Sequence, residues 1–166
     1  PSLSLERTLA TVLFTDIVDS TGIALQMGDE RWLQLMEEHD RIVRQEIRNF
    51  QGREIRSTGD GFLITFDGPS RAVFCAEKIR DGAATLGLEV RSGIHTGEIE
   101  IKGQEIGGIG VHIASRVLGS ASDAAIMVSS TVKELMVGSG VTFTDKGKYI
   151  LKGIEGEWHL YEVERV

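Results

Sequence analysis

Residues 13–21 read Leu13-Phe14-Thr15-Asp16-Ile17-Val18-Asp19-Ser20-Thr21. An apolar run from Leu9 to Phe14 leads into an acidic residue, and small polar residues then precede a long amphipathic segment. This order is typical of a buried strand, a tight turn and the start of a helix. At the strand end, the Asp16 carboxylate and the amides that follow it suit a divalent cation that holds a phosphate. A helix-capping role for Asp16 is the alternative at this point.

The composition is that of an ordinary globular domain. The 166 residues suit one domain, and 41% of them are hydrophobic and 26% charged. The formal net charge of −7 argues against non-specific nucleic-acid binding, which needs a basic surface. No stretch approaches the roughly 20 apolar residues of a membrane span, so we expect no membrane contact from this domain. The single cysteine, Cys75, excludes an internal disulfide and fits a cytoplasmic location.

The chain reads as a polar linker, residues 1–7, followed by a single domain, residues 8–166. We find no repeat and no low-complexity tract that would divide the domain. Because the sequence does not begin with Met, we expect a fragment of a longer multidomain protein that carries a regulatory domain.

Hydrophobic periodicity predicts an α+β fold. The predicted strands are Thr8–Asp16, Arg53–Ser57, Phe62–Phe66, Leu88–Thr96, Glu98–Ile101, Ala125–Ser129, Val141–Asp145, Lys148–Leu151 and Trp158–Val163. The predicted helices are Ser20–Phe50 with a break near Gly28, Pro69–Leu86, Gly110–Leu118 and Ser130–Val137. The initial order β-α-β-β-α-β matches the ferredoxin-like, palm-like unit. We therefore expect an antiparallel-rich central sheet flanked by helices, with further α/β elements at the C-terminus.

Two carboxylates form the first candidate site. Asp60 lies in a predicted Asp-Gly hairpin turn, and in the ferredoxin-like unit this hairpin neighbours the strand that ends at Asp16. Two such carboxylates can bridge a pair of divalent ions, and hard oxygen ligands favour Mg²⁺ or Mn²⁺ over zinc. The alternative is that Asp60 serves only the turn.

Two further pairs carry candidate chemistry. His112 and Arg116 are four residues apart on a predicted helix, so they share one face, where the planar Arg116 fork can match a phosphate. His112 could donate to a phosphate or satisfy a polar interface. Glu105 can accept from an exocyclic amine and Arg56 can donate to a ring nitrogen, although by themselves they read as two surface charges.

Four motifs follow one another along the chain: Phe14-Thr15-Asp16-Ile17-Val18-Asp19-Ser20-Thr21, Ser57-Thr58-Gly59-Asp60-Gly61-Phe62, Arg91-Ser92-Gly93-Ile94-His95-Thr96-Gly97 and Gly108-Ile109-Gly110-Val111-His112-Ile113-Ala114-Ser115-Arg116. In this order they resemble the class III nucleotidyl cyclase homology domain. The resemblance runs from about Thr8 to Val163 and is strongest to bacterial adenylyl cyclases.

The resemblance implies a role for each matching position. Asp16 and Asp60 match the metal-binding aspartates, and Ile17 matches the residue whose carbonyl joins the metal shell. Arg116 matches the arginine that stabilises the transition state, and Lys152 resembles a lysine that reaches the triphosphate. The turn after the first strand, with the phenylalanine before it, is expected to contact the substrate: Phe14, Val18, Asp19, Ser20 and Thr21.

The resemblance also implies the assembly and the reaction. In this family the active sites lie between two cyclase domains, so we expect a homodimer with two composite sites and an inactive monomer. The substrate is ATP, the cofactors are two divalent cations, and the product is cyclic AMP.

Three positions depart from the family pattern. The base-recognising lysine falls on Arg56, its partner aspartate on Glu105 and the transition-state asparagine on His112. The changes at Arg56 and Glu105 keep the sign of the charge but alter the length and geometry of the side chains. We therefore expect low activity or a relaxed preference between purine nucleotides. The alternative is a degenerate domain that binds nucleotide and signals by dimerising. A diguanylate cyclase would need a Gly-Gly-Asp/Glu-Glu-Phe turn in place of Thr58-Gly59-Asp60-Gly61-Phe62.

Overall fold

A computed structural model describes residues 6–165. Its strands are β1 (Glu6–Ile17), β2 (Arg53–Ser57), β3 (Gly61–Phe66), β4 (Val90–Lys102), β5 (Glu105–Gly107), β6 (Ile126–Ser129), β7 (Phe143–Ile150) and β8 (Glu157–Val163). Its helices are α1 (Ser20–Met27), α2 (Asp29–Asn49), α3 (Pro69–Ala84), α4 (Ile109–Gly119) and α5 (Ser130–Leu135).

The strands form one mixed sheet in the order β2-β3-β1-β4-β6-β8-β7, with β5 paired to β4. Among these pairings only β4–β6 is parallel. The order β2-β3-β1-β4 is that of the ferredoxin-like unit, with β1 between the hairpin and β4. The predicted fold class is therefore confirmed.

The two faces of the sheet pack against different helices. Leu13 and Ile17 of β1 join a core cluster with residues of α2, α3 and α5. Val12 and Phe14 instead join a cluster with Val111 of α4. Because strand residues alternate between faces, Asp16 lies on the same face as Phe14. The predicted metal ligand is thus on the α4 side.

Close backbone contacts at Gly61 and Gly93 bring the elements of the site together. A Cβ at Gly61 would overlap the Thr15 backbone carbonyl, and one at Gly93 would overlap the backbone of Leu118. Glycine at these places lets β3 approach β1 and lets α4 approach β4.

The boundaries of several predicted elements were wrong. Glu6 and Arg7, predicted as linker, pair with β4 in β1, while residues 1–5 of that linker lie outside the described residues. Gly97 does not end β4, because it pairs with Ala10 in a continuous ladder. The two predicted strands at 141–151 are one strand, β7, in which an irregularity between Asp145 and Gly147 absorbs the break. Strand β5 was not predicted.

Candidate active site

Asp16 and Asp60 lie together at one edge of the sheet. Asp16 is the cross-strand partner of Gly61, and the Ile17 amide donates to the Asp60 carbonyl at 3.0 Å. The Ser20 hydroxyl at the start of α1 donates to Asp60 Oδ2 at 2.7 Å. The two predicted metal ligands are therefore neighbours, as the ferredoxin-like unit required.

The turn from β1 into α1 presents fewer amides than the resemblance implied. Asp19 adopts left-handed backbone angles, with φ of 54°, and turns the chain into the helix. The Val18 amide donates to the Glu89 carbonyl at 2.9 Å, so it is already paired. The amides of Ser20 and Thr21 lie in the first helical turn, where N–H groups lack an intrahelical acceptor and can meet an anion.

Arg91 is a site residue that the sequence analysis missed. Its Nε donates to Asp16 Oδ1 at 2.7 Å and its Nη2 to Asp16 Oδ2 at 3.0 Å, while Nη1 donates to the Ala121 carbonyl at 3.0 Å. These bonds to Asp16 raise the pKa of Arg91 above its ordinary value, although partial burial lowers it. The negative charge of Asp60 also raises this pKa. Arg91 occurs in one of the quoted motifs, but only the β1–β4 register reveals that it faces Asp16.

The donor set at this edge fits a hard divalent cation. The Asp16 and Asp60 carboxylates and the Ile17 carbonyl supply oxygen atoms, which Mg²⁺ and Mn²⁺ prefer. Within residues 6–165, no cluster of three or more His, Cys, Asp or Glu side chains forms a complete metal site. Backbone and substrate oxygens would have to complete the coordination shell.

The base-recognition and transition-state candidates form a second group. A cavity of about 360 Å³ is lined by Phe14, Arg56, His112, Arg116 and their neighbours. Arg56 Nη1, from β2, lies 3.6 Å from Glu105 Oε1, from β5. Both side chains are largely exposed, so this ion pair adds little stability and remains available to a ligand.

His112 links Arg116 to the turn between β7 and β8. Its Nε2 lies 3.3 Å from Arg116 Nε and 3.4 Å from the Lys152 carbonyl oxygen. The structure therefore brings the backbone of Lys152 beside the α4 candidates.

The two groups are not in one cavity, although Asp16 lies on the same sheet face as Phe14, which lines the Arg116 cavity. The cavity that contains Arg116 does not include Asp16 or Asp60. Asp60 instead borders a larger cavity of about 630 Å³ between α1 and α2, next to Leu25 and Leu33, which are 81% and 64% exposed. One protomer thus carries Asp60 and Arg116 in separate cavities, with apolar surface next to Asp60.

The chain is similar to known nucleotide cyclases in sequence and in structure. Residues 6–165 match the family model described as "Adenylate and Guanylate cyclase catalytic domain". The chain is 26% identical, over 95% of its length, to a Rhizobium meliloti protein provisionally named adenylate cyclase 3, and it covers 28% of that relative. The chain therefore spans well under half of this relative.

Solved structures share the fold. The adenylyl cyclase CyaB from P. aeruginosa superposes with a TM-score of 0.91 at 21% identity, covering 99% of this chain and 97% of that one. The guanylate cyclase domain of RhGC from Catenaria anguillulae, in complex with GTP, superposes with a TM-score of 0.84 at 18% identity, covering 96% of this chain and 98% of that one. At these identities the similarity establishes the fold alone. None of the helices formed by residues 6–165 combines the length and apolar character of a membrane span.

Proposed function

The chain belongs to the adenylate and guanylate cyclase catalytic domain family, and on that premise we propose that it converts ATP to 3′,5′-cyclic AMP and pyrophosphate. The observation that carries the proposal is the closeness of Asp16 to Asp60, which the Ile17 N–H bond to the Asp60 carbonyl maintains, with Asp16 on the same sheet face as Phe14 of the Arg116 cavity. In the reaction, the 3′ oxygen bonds to the α-phosphorus as its proton leaves. The bond from that phosphorus to the bridging oxygen breaks, and pyrophosphate departs.

Asp16, Asp60 and the Ile17 carbonyl would hold two divalent cations, Mg²⁺ or Mn²⁺. When bound, the cations would neutralise polyphosphate charge and make the attacking hydroxyl more acidic. Each oxygen of Asp16 accepts one hydrogen bond from Arg91 and keeps a lone pair for a cation, whereas Asp60 has one oxygen free of the Ser20 hydrogen bond.

The triphosphate and the α-phosphate would be held by groups of opposite charge. The amides of Ser20 and Thr21 and the Lys152 side chain would bind the triphosphate. Arg116 would stabilise the charge that grows on the α-phosphate oxygens in the transition state. Loss of one such contact typically lowers kcat by roughly 10²–10³.

The Arg56–Glu105 pair supports adenine as the base. The Glu105 carboxylate can only accept hydrogen bonds, so it suits the exocyclic amine of adenine, and Arg56 can donate to a ring nitrogen. Guanine would present a carbonyl oxygen or a differently placed amine to the same pair. The 3.6 Å separation supports the two residues acting on one base edge.

Two copies would share each active site. One protomer carries the carboxylates and the Arg116 cavity in separate places, and a second copy would bring its Arg116 cavity to the first copy's carboxylates. A two-fold axis generates two such sites. We propose this homodimer as the active form, in the cytoplasm and within a longer chain that carries regulatory input.

The test is turnover of ATP with Mn²⁺ by the purified domain, followed as cyclic AMP. Asp16→Ala is expected to abolish production, while Asp67→Ala, at an exposed carboxylate after β3, is expected to leave it unchanged. Full cyclic AMP output from Asp16→Ala would overturn the proposal.

A second candidate function is a nucleotide-binding module without turnover. The departures at Arg56, Glu105 and His112 favour it, as does the positive charge of Arg91 beside Asp16, which opposes a cation there. Calorimetric ATP binding without cyclic AMP formation, in either Mg²⁺ or Mn²⁺, would select this alternative.

A further inference from the structure

One nitrogen of His112 lies between two possible partners. Its Nε2 is 3.3 Å from Arg116 Nε and 3.4 Å from the Lys152 carbonyl oxygen. A neutral imidazole nitrogen carries either a lone pair or a proton, so Nε2 can accept from Arg116 or donate to Lys152 but cannot do both.

The chemistry of the partners favours the bond to Arg116. The Nε–H of arginine is always a donor, so a proton on Nε2 would turn two N–H groups toward each other. A protonated imidazolium would also add a second positive charge beside the guanidinium. The Lys152 carbonyl lies at an exposed residue, where water can satisfy it.

The turn at Lys152-Gly153 closes over the ring of His112. Gly153 has φ of 81°, and a Cβ built on it would lie 3.4 Å from His112 Nε2. This turn therefore approaches the imidazole on one side while Arg116, one helical turn along α4, lies on another. The imidazole therefore has a neighbour on each of two sides, while His112 remains an exposed residue.

We infer that His112 is a positioning residue whose neutral, Nδ1-protonated imidazole accepts the Arg116 Nε–H and fixes the guanidinium plane. Arg116 then keeps its two Nη groups for the substrate. The inference rests on the proposed cyclase function, because Arg116 is the group proposed to meet the α-phosphate. It gives His112 a task that differs from direct contact with the reacting atoms.

The first test reads the tautomer of His112 by ¹⁵N NMR of the whole domain, without substrate. The signal is assigned by its loss in His112→Gln. The expected neutral form carries its proton on Nδ1, and Arg116→Leu is expected to move the proton toward Nε2 and the Lys152 carbonyl. A wild-type proton on Nε2, or a tautomer unchanged by Arg116→Leu, would overturn the inference.

The second test uses kinetics with ATP and Mn²⁺. The Gln side chain can place an acceptor oxygen near the position of Nε2, whereas Leu fills the space without one. His112→Leu is expected to lower kcat by about tenfold with KM unchanged, since orientation matters in the transition state. His112→Gln is expected to stay within about threefold of wild type. Equal rates for Leu and Gln would contradict the inference, as would a change confined to KM.

The two tests separate this inference from the function on which it rests. If the wild-type domain forms no cyclic AMP but the tautomer is as expected, the proposed function fails and the positioning contact stands. If the wild-type domain is active and the tautomer is wrong, only the role of His112 fails.

Discussion

Arg91 binds both carboxylate oxygens of Asp16, with Nε 2.7 Å from Oδ1 and Nη2 3.0 Å from Oδ2. The positive guanidinium therefore neutralises the carboxylate that is proposed to bind a divalent cation. Because the bond from Nη1 to the Ala121 carbonyl anchors the arginine to the end of α4, Asp16 is held in place before any cation arrives.

Arg91→Gln should strengthen Mn²⁺ binding by the nucleotide-free domain several-fold, because one competing positive charge is removed. The same change should lower the free energy of unfolding by about 1–3 kcal/mol, since the two bonds to Asp16 and the bond to the Ala121 carbonyl are lost. Calorimetry with Mn²⁺ and urea denaturation measure the two effects. Arg7→Gln is the control, because Arg7 forms a mostly exposed pair with Glu98. Weaker Mn²⁺ binding by Arg91→Gln would refute a competition between Arg91 and the cation.

Gly61→Ala should destabilise the domain by roughly 2 kcal/mol or more, because the new Cβ would overlap the Thr15 backbone carbonyl. Asp60 is the adjacent residue, so Mn²⁺ binding should weaken as well. Gly119→Ala is the control, since a Cβ at Gly119, the last residue of α4, meets open space. Thermal denaturation and Mn²⁺ titration of both variants check this. Equal stability of the two variants would show that β3 does not need its close approach to β1.

The stability of the domain should depend on pH through His95. Burial lowers the pKa of this histidine from its ordinary 6.5 to about 4, and its Nδ1 lies 2.7 Å from Ser129 Oγ. Between pH 6.5 and about 4, His95 is protonated in the unfolded chain but stays neutral in the folded chain. Stability is therefore fully present above pH 6.5 and falls as the pH drops toward 4, by up to about 3 kcal/mol. Urea denaturation at several pH values from 7.5 to 4 measures the free energy of unfolding. This free energy should fall less steeply with decreasing pH in His95→Gln than in the wild type. An equal pH dependence in the two proteins would contradict the prediction.

Glu105→Gln should lower kcat/KM for ATP by about tenfold and leave kcat/KM for GTP nearly unchanged, because a charged acceptor for the adenine amine is lost. Parallel assays of cyclic AMP formed from ATP and cyclic GMP formed from GTP measure the two kcat/KM values. Glu155→Gln, at an exposed residue of the β7–β8 turn, is the control. An equal fall with both nucleotides would assign Glu105 a role other than base recognition.

Local sequence signals predicted most of the fold. The apolar run before Asp16 predicted β1, and the Asp-Gly pair at Asp60 predicted the turn between β2 and β3. Gly28 predicted the break between α1 and α2. Each of these signals depends only on residues that are close in sequence. The continuity of β4 and β7 was not predicted, because Gly97 and Gly147 resemble strand ends until their cross-strand partners are known.

Long-range geometry explains what the sequence missed at the site. Arg91 faces Asp16 only because of the β1–β4 register, which no local pattern specifies. An irregularity in β2 between Glu54 and Arg56 sets where Arg56 lies relative to β3. The contact of Lys152 with His112 joins residues 40 positions apart. The family resemblance supplied the candidate residues, and the structure shows which of those candidates are in contact.

The most direct test of the shared-site cyclase is complementation between Asp16→Ala and Arg116→Ala. Each variant alone should form almost no cyclic AMP, because every site in its homodimer lacks either a carboxylate or the arginine. In an equal mixture, random pairing makes half of the dimers mixed, and each mixed dimer has one intact site of two. The mixture should therefore recover about a quarter of the wild-type rate. A mixture that stays inactive, while both variants still dimerise, would contradict the account.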